Sequence, residues 1–271
     1  MRIFSHKHPE GWGTGEAVRF EEPSLSFPTL RWSPSYRAIL PKGAKPVSVL
    51  AGFETERQAM VERQLRARGI RSERVLDALA SVPRHEFVPA ANAGAAYEDR
   101  ALSIGEWETI SQPFIVALMT EAAAVRRGDR VLEVGTGAGY QAAIMAYLGA
   151  RVHTIERNVE LAEAARERLG RLGFGGAVEV IAGDGSEGYP PEAPYDAILV
   201  TAASPRIPPV LPGQLVDGGR LVIPIGSRQE QQLRLITRSG ENVREQILTA
   251  CQFVPLIGRE AWPDSGQSWT W

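Results

Sequence analysis

The chain has 271 residues, 44% of them hydrophobic, which is enough for one well-buried core without demanding two domains. A formal net charge of -2 offers no basic excess for nucleic acid. The longest apolar stretch, near residues 142–150, is far short of the roughly 20 residues of a membrane helix, and residues 1–9 lack the apolar core of a signal peptide, so we expect a cytoplasmic protein without a membrane partner.

Few side chains of the metal-binding types are present. The four histidines are scattered and lack the spacing of a metal site, and Cys251 has no second cysteine with which to form an internal disulfide. We therefore predict no metal site and no internal disulfide.

Composition divides the chain into three unequal parts. Residues 1–50 contain six of the 19 prolines and show little periodicity, which predicts an extended Pro-rich arm. Residues 51–262 carry the periodic patterns of a folded domain, and residues 263–271 form a tail with two tryptophans. Thr55 and Gln58 are typical of a capping box for a first helix that Gly69 would end, and a second short helix is predicted over residues 72–79.

The segment Thr109–Pro113 precedes a helix predicted over residues 113–124, with Pro113 in the first turn. Ser111 has two interpretations. Its side chain caps this helix, or its hydroxyl orients a substrate beside the helix N-terminus. The second role needs no strong base if the substrate group is a carboxylate, because a carboxyl with a reference pKa near 4 is already ionised at pH 7.

A strand, a tight turn and a helix are predicted between residues 130 and 148. The apolar run after Arg130 ends in three glycines spaced two apart, Gly135, Gly137 and Gly139. Tyr140 stands where a dinucleotide fingerprint has its third glycine, so the turn suits an adenosyl ligand without phosphates better than a pyrophosphate. Such a ligand is S-adenosylmethionine.

Acidic residues follow the next two predicted strands. Glu156 ends the strand of residues 152–156 and is placed to accept both hydroxyls of a ribose. Asp184, beside Gly185, follows residues 178–182 and either accepts a hydrogen bond from an adenine amino group or only forms a turn. Three candidate sites at successive strand ends favour ligand binding, since ligands of open α/β sheets bind there.

Further strands are predicted at residues 195–201, 219–224, 232–236 and 247–256, with no helix between the last two. Alternation of strand and helix followed by an antiparallel pair predicts a Rossmann-like α/β fold with a seven-stranded, mostly parallel sheet and N-terminal helices.

Five motifs in this order resemble the protein-L-isoaspartate O-methyltransferase family over roughly residues 55–262. They are Met60–Leu65 (MVERQL), Val82–Pro89 (VPRHEFVP), Thr109–Pro113 (TISQP), Glu133–Gln141 (EVGTGAGYQ) and Phe253–Leu256 (FVPL).

The resemblance implies S-adenosylmethionine-dependent methylation of the α-carboxylate of L-isoaspartyl residues in damaged proteins or peptides, after which the ester collapses to a succinimide. By position it implies a catalytic hydroxyl on Ser111 and cofactor contacts from the residues Thr109, Gly135, Gly137, Gly139, Glu156, Asp184 and Gly185. Two residues depart from the family pattern. Ala138 replaces a frequent serine, and Glu108 replaces the usual glutamine, which adds a carboxylate that either attracts the sulfonium or repels the substrate.

Three alternatives stay open. The first is a carboxylate methyltransferase dedicated to one natural-product peptide. The second is an adaptor that binds damaged protein segments without catalysis. A nicotinamide-dependent oxidoreductase would share the Gly turn and the acid, but Tyr140 and the antiparallel end argue against it.

Overall fold

The computed structural model describes residues 53–105 and 108–264, which all belong to one compact unit. The predicted arm, residues 1–50, and nearly all of the predicted tail lie outside the described residues, so these boundaries stay predictions. Within the described ranges, no helix is both long and apolar enough to span a membrane.

The helices precede and flank the strands. They are α1 (Glu54–Met60), α2 (Glu73–Ser81), α3 (Pro113–Ala123), α4 (Tyr140–Tyr147), α5 (Val159–Arg171) and α6 (Val210–Gly213). Short 3-10 turns cover Arg84–Phe87, Ala90–Ala95, Gly185–Glu187 and Pro190–Glu192, and α1 continues through a π turn, Val61–Leu65, and a 3-10 turn, Arg66–Arg68.

Two sheets occur among the described residues. The small one pairs β1 (Leu102–Ser103) with β2 (Thr109–Ile110) in an antiparallel hairpin. The strands of the large one are β3 (Arg130–Val134), β4 (Arg151–Glu156), β5 (Val178–Ala182), β6 (Tyr195–Val200), β7 (Leu215–Gly226), β8 (Gln231–Ser239) and β9 (Asn242–Cys251). Their order is β5-β4-β3-β6-β7-β8-β9, parallel through β7 and antiparallel thereafter.

Both faces of the central strands of the large sheet are covered, which explains their continuous apolar runs. Successive residues of a strand point to opposite faces. Val131 accordingly belongs to the same hydrophobic cluster as Met119 of α3 and Ile144 of α4, whereas Leu132 belongs to a second cluster with Leu211 of α6. The parallel order brings the carboxyl ends of β3, β4, β5 and β6 to one edge, where the loops that form the site begin.

Several local predictions are confirmed. Gly69 ends the first helical segment in the left-handed conformation, with φ of 101°. The second short helix, predicted over residues 72–79, is α2, and Ser72 caps it by accepting a hydrogen bond from the Val75 amide. The antiparallel pair β8 and β9 closes the far edge of the large sheet, as expected for the seven-stranded fold.

Two local predictions are wrong. Phe53, not Thr55, occupies the N-cap of α1, and no side chain caps that end. The last strand covers Asn242–Cys251 instead of residues 247–256, because the chain leaves β8 after Cys251. Val254 and Leu256 then exchange backbone hydrogen bonds of 2.7 Å with Ala203. These hydrogen bonds place the motif of residues 253–256 at the carboxyl-terminal edge of the parallel strands.

Candidate active site

A cavity of about 690 Å³ opens at the carboxyl ends of the parallel strands. Its walls come from the hairpin segment 108–111, the turn after β3, the ends of β4 and β6, and residues 254–257. Segments separated by more than a hundred residues therefore meet around one space, at the position where ligands of open α/β sheets bind.

The Gly turn forms the floor of this cavity. Gly135 has φ of 97° and Gly137 has φ of 51°, both in the region that favours glycine. A Cβ at Gly135 would lie 2.5 Å from Oγ1 of Thr201, so a side chain cannot be placed there unless Thr201, which directly follows β6, moves. Gly139, with φ of 90°, packs against Leu169 and is not among the cavity-lining residues. Of the three glycines, Gly135 and Gly137 are thus the ones that line the cavity.

Glu156 ends β4 and lines the cavity, as its predicted role requires. Its Oε2 accepts a hydrogen bond of 2.9 Å from the Gly137 amide, and its Oε1 accepts one of 3.0 Å from the Asn158 amide. The carboxylate therefore ties the Gly turn to the start of α5. Each carboxylate oxygen retains a further lone pair for a ligand hydroxyl.

Glu133 also lines the cavity, and the sequence-based predictions missed it. The residue is fully buried, and the Thr154 hydroxyl donates a hydrogen bond of 2.5 Å to its Oε2. Among the described residues, its Oε1 has no hydrogen-bond partner. Burial raises the pKa of Glu133 to about 8. A carboxyl inside the apolar run of β3 was the signal that could have identified it.

The opposite wall carries Thr109, Ile110 and Ser111. Gln112, not Ser111, occupies the N-cap of α3, and its side chain makes no cap hydrogen bond. The Gln112 amide group instead donates to Oδ1 of Asp99 at 2.8 Å. Ser111 therefore does not cap the helix, which removes one of its two interpretations and leaves its hydroxyl on the cavity wall.

Gly185 lines the cavity, whereas Asp184 does not. Oδ1 of Asp184 accepts hydrogen bonds from the amide and hydroxyl of Ser186, and Oδ2 accepts one of 2.8 Å from the Arg259 amide. Burial alone would raise the pKa of Asp184, but the hydrogen bonds from Arg259 and Ser186 hold it below its usual value. In the described structure this carboxylate fastens the C-terminal segment, and no contact links it to the cavity.

The C-terminal segment supplies the remaining wall through Val254, Pro255, Leu256, Ile257 and Asp264. Gly258 approaches Asp184 so closely that a Cβ there would overlap the carboxylate. Sequence reasoning recognised the motif at residues 253–256 but assigned no site role to this segment, because the contacts that hold it are long-range.

Negative charge predominates among the described residues that line the cavity. Glu108, Glu156 and Asp264 are acidic, and Arg157 is the basic residue, with its guanidinium bonded to Asp264. Glu133 is not counted with them, because its raised pKa of about 8 keeps it protonated at neutral pH. This charge fits a ligand that carries a positive group. Residues 53–105 and 108–264 contain no cluster of three or more His, Cys, Asp or Glu placed to hold a metal ion.

Comparisons with known proteins agree with this geometry. The family model for protein-L-isoaspartate(D-aspartate) O-methyltransferases matches residues 55–261. A protein-L-isoaspartate O-methyltransferase of Methanoculleus marisnigri is 57% identical over 208 residues, covering 76% of this chain and 94% of its own length. One from Koribacter versatilis is 51% identical over 213 residues, covering 79% of this chain and 96% of its own length.

Solved structures show the same relationship. A protein-L-isoaspartate O-methyltransferase structure superimposes with a TM-score of 0.67 at 30% identity, covering 76% of this chain and 67% of its own. A Plasmodium falciparum protein described as belonging to the same enzyme class, crystallised with S-adenosyl-L-homocysteine, gives a TM-score of 0.65 at 25% identity and covers 74% and 98% of the two chains. The match spans the whole described domain, and the chain belongs to the protein-L-isoaspartate(D-aspartate) O-methyltransferase family.

Proposed function

We propose that this chain methylates the α-carboxylate of L-isoaspartyl residues in damaged proteins and peptides, with S-adenosylmethionine as the methyl donor. The observation that carries the proposal is the cavity itself. It brings Ser111 of the Thr-Ile-Ser-Gln-Pro segment, the Gly turn and Glu156 together around one open cavity. A methyl acceptor held at Ser111 and an adenosyl donor held at the Gly turn and Glu156 would meet within this cavity.

The donor end is built for a nucleoside with a positive tail. Gly135 and Gly137 let backbone approach the ligand closely, and Glu156 is placed to accept the ribose hydroxyls. Gly185 lines the wall assigned to the adenine. The unpartnered Oε1 of buried Glu133 is an acceptor for a cationic donor group such as an ammonium. Asp184 acts here by fastening residues 258–259 beside Gly185, through its bond to the Arg259 amide.

The acceptor end needs to orient a group that is already reactive. When bound, S-adenosylmethionine supplies a methyl carbon that bonds to a carboxylate oxygen while its bond to sulfur breaks, and the electron pair stays on sulfur to give a neutral thioether. The Ser111 hydroxyl, just before the N-terminus of α3, donates to the carboxylate and aims one oxygen at the methyl group. The carboxylate enters ionised, so no side chain has to remove a proton.

The methyl ester formed in this way would collapse to a succinimide, and hydrolysis of the succinimide returns part of the chain to normal aspartate. Activity on many unrelated isoaspartyl sequences would indicate general repair. Activity confined to one sequence would indicate the dedicated enzyme named above. A cytoplasmic location remains a prediction from the sequence.

A labelling experiment tests the proposal. The full chain is incubated with methyl-labelled S-adenosylmethionine and with peptides that differ only in carrying an isoaspartyl, an aspartyl or an asparaginyl residue. We expect base-labile methyl ester on the isoaspartyl peptide alone. Equal labelling of the aspartyl peptide would contradict the proposed acceptor, and the absence of base-labile label on all three would contradict carboxylate methylation.

A further inference from the structure

Glu108 is a charged residue of the cavity for which the proposed reaction has no assigned role. It directly precedes β2, and its backbone carbonyl accepts a hydrogen bond of 2.9 Å from the Ile104 amide across the hairpin. A Cβ placed on Gly105 would lie 3.1 Å from Oε2 of Glu108, so the hairpin packs closely against this carboxylate. The side chain lines the cavity beside Thr109 and Ser111.

The hairpin places Glu108 on the donor side of the cavity as well. Ile104, its hydrogen-bonding partner, reaches to 3.5 Å from the position of a Cβ on Gly137, in the turn that faces the ligand. Gly137 is also the residue whose amide Glu156 holds. Glu108 and Glu156 therefore belong to segments that meet around the same glycine.

The surroundings of Glu108 are mostly negative. The described charged or titratable groups of the cavity are Glu133, Tyr140, Glu156, Arg157 and Asp264. The guanidinium of Arg157 is already bonded to Asp264. Burial, followed by the nearby Glu156, raises the pKa of Glu108. Among the described residues that line the cavity, no free positive side chain thus balances the charge of the Glu108 carboxylate.

A cationic ligand would provide that balance, and the two forms of the cofactor differ in this respect. The donor carries a positive sulfonium, whereas the product has a neutral thioether and is otherwise nearly the same molecule. A fixed negative charge close to the sulfur stabilises the bound sulfonium donor relative to the bound thioether product, since the other contacts of the two ligands are nearly the same.

We propose that Glu108 is a specificity-determining residue which selects the charged methyl donor over the neutral product. This inference rests on the proposed use of S-adenosylmethionine. Its consequence is weaker product inhibition than the same site would show with an uncharged glutamine at position 108. The interpretation of Glu108 as a residue that only repels the acceptor predicts no such difference between donor and product.

Calorimetry in the absence of any acceptor peptide tests the proposal. The full-length wild-type chain, Glu108→Gln and Glu163→Gln are titrated with S-adenosylmethionine and, separately, with S-adenosylhomocysteine. Glutamine preserves the size of the side chain and removes its charge. Glu163 is exposed on α5 and does not line the cavity, so its variant controls for a general change in protein charge.

We expect Glu108→Gln to weaken S-adenosylmethionine about three- to thirtyfold, as for the loss of one partly screened charge near a cation, and to leave S-adenosylhomocysteine within about twofold. Glu163→Gln should change the affinity for neither ligand. Equal weakening of both ligands, or no change in either, would overturn the inference while leaving the methyltransferase intact. If wild type binds neither ligand, the proposed use of the cofactor fails first and the inference fails with it.

A second arm uses pH. Lowering the pH protonates Glu108, so the preference of wild type for donor over product should shrink. The other acidic side chains of the cavity, Glu133, Glu156 and Asp264, are present in both proteins, so the comparison with Glu108→Gln removes their contribution. A preference that falls equally with pH in wild type and in Glu108→Gln would assign the effect to those other acids and overturn the inference.

Discussion

The two ends of the cavity are built in different ways. The donor end consists of the ends of buried parallel strands, with the Gly turn and Glu156 held by backbone hydrogen bonds. The acceptor end consists of the two-residue strand β2, Ser111 and the C-terminal segment 254–257, which is bonded to Ala203. The donor end thus belongs to the core of the large sheet, whereas the acceptor end consists of short segments that pack at the edge of that sheet.

This difference matches the tasks proposed for the two ends. A constant cofactor suits a rigid surface in which backbone makes the contacts, since backbone geometry there is fixed by the neighbouring strands. A damaged residue can occur in many sequences, and a wall made of short segments suits a varied substrate. We therefore expect substitutions at the donor end to lower the free energy of unfolding and the cofactor affinity, whereas substitutions at the acceptor end should mainly lower turnover.

The largest effect is expected for Gly135→Ala. Its φ of 97° and the 2.5 Å approach of a Cβ to Thr201 should lower the free energy of unfolding by about 2–5 kcal/mol, the sum of backbone strain and overpacking. Urea unfolding measures this loss. Gly128→Ala is the matched control, because its φ is 90° but no atom lies within 4 Å of the added Cβ. Equal destabilisation by both variants would show that the steric contact with Thr201 is unimportant.

At the acceptor end, Ser111→Ala should reduce turnover about ten- to a thousandfold, the range for losing one positioned donor. Cofactor affinity and stability should change little, since Ser111 is not the cap of α3. Steady-state kinetics on an isoaspartyl peptide and calorimetry with S-adenosylhomocysteine measure the two effects. Ser239→Ala, at the exposed end of β8, serves as the control. Loss of cofactor affinity equal to the loss of turnover would contradict the division of tasks.

A smaller effect is expected for Glu156→Ala. Removing the carboxylate leaves the amides of Gly137 and Asn158 and the ribose hydroxyls without their acceptor, which should weaken S-adenosylmethionine binding by about 1–3 kcal/mol. Calorimetry checks this, with Glu163→Ala as the control. Unchanged affinity in a folded variant would remove Glu156 from the cofactor site.

The smallest expected effect concerns Glu133, a buried residue of the donor end, and the dependence of stability on pH. Burial raises the pKa of Glu133 from 4.5 to about 8. Between these two pH values the Glu133 carboxyl therefore stays protonated in the folded chain and is ionised in the unfolded chain. The free energy of unfolding should therefore fall as pH rises, by about 1 kcal/mol between pH 6 and 7 from this group. Glu133→Gln should flatten that slope in urea unfolding without cofactor. Identical slopes in the two proteins would mean that Glu133 is ionised in the fold.

The sequence by itself determined the local structure at the strand ends. The strand, Gly turn and helix of residues 130–147 and the acid that ends β4 lie where they were predicted, because a strand, a tight turn and a helix are decided by neighbouring residues. Their roles toward a cofactor stay predictions. The antiparallel close of the sheet followed from the absence of a helix between the last two apolar runs. Patterns of this kind depend on short-range sterics and on alternate burial, which a single sequence displays.

Only the tertiary structure decided how distant segments meet. The partners of Asp184 are residues 186 and 259, and the cavity wall at residues 254–257 joins a turn that lies more than a hundred residues earlier. The capping of α1 and the end of β9 also differed from expectation. Long-range contacts leave no periodic signal in the chain, since they depend on how the elements pack and not on the spacing of residues within one element.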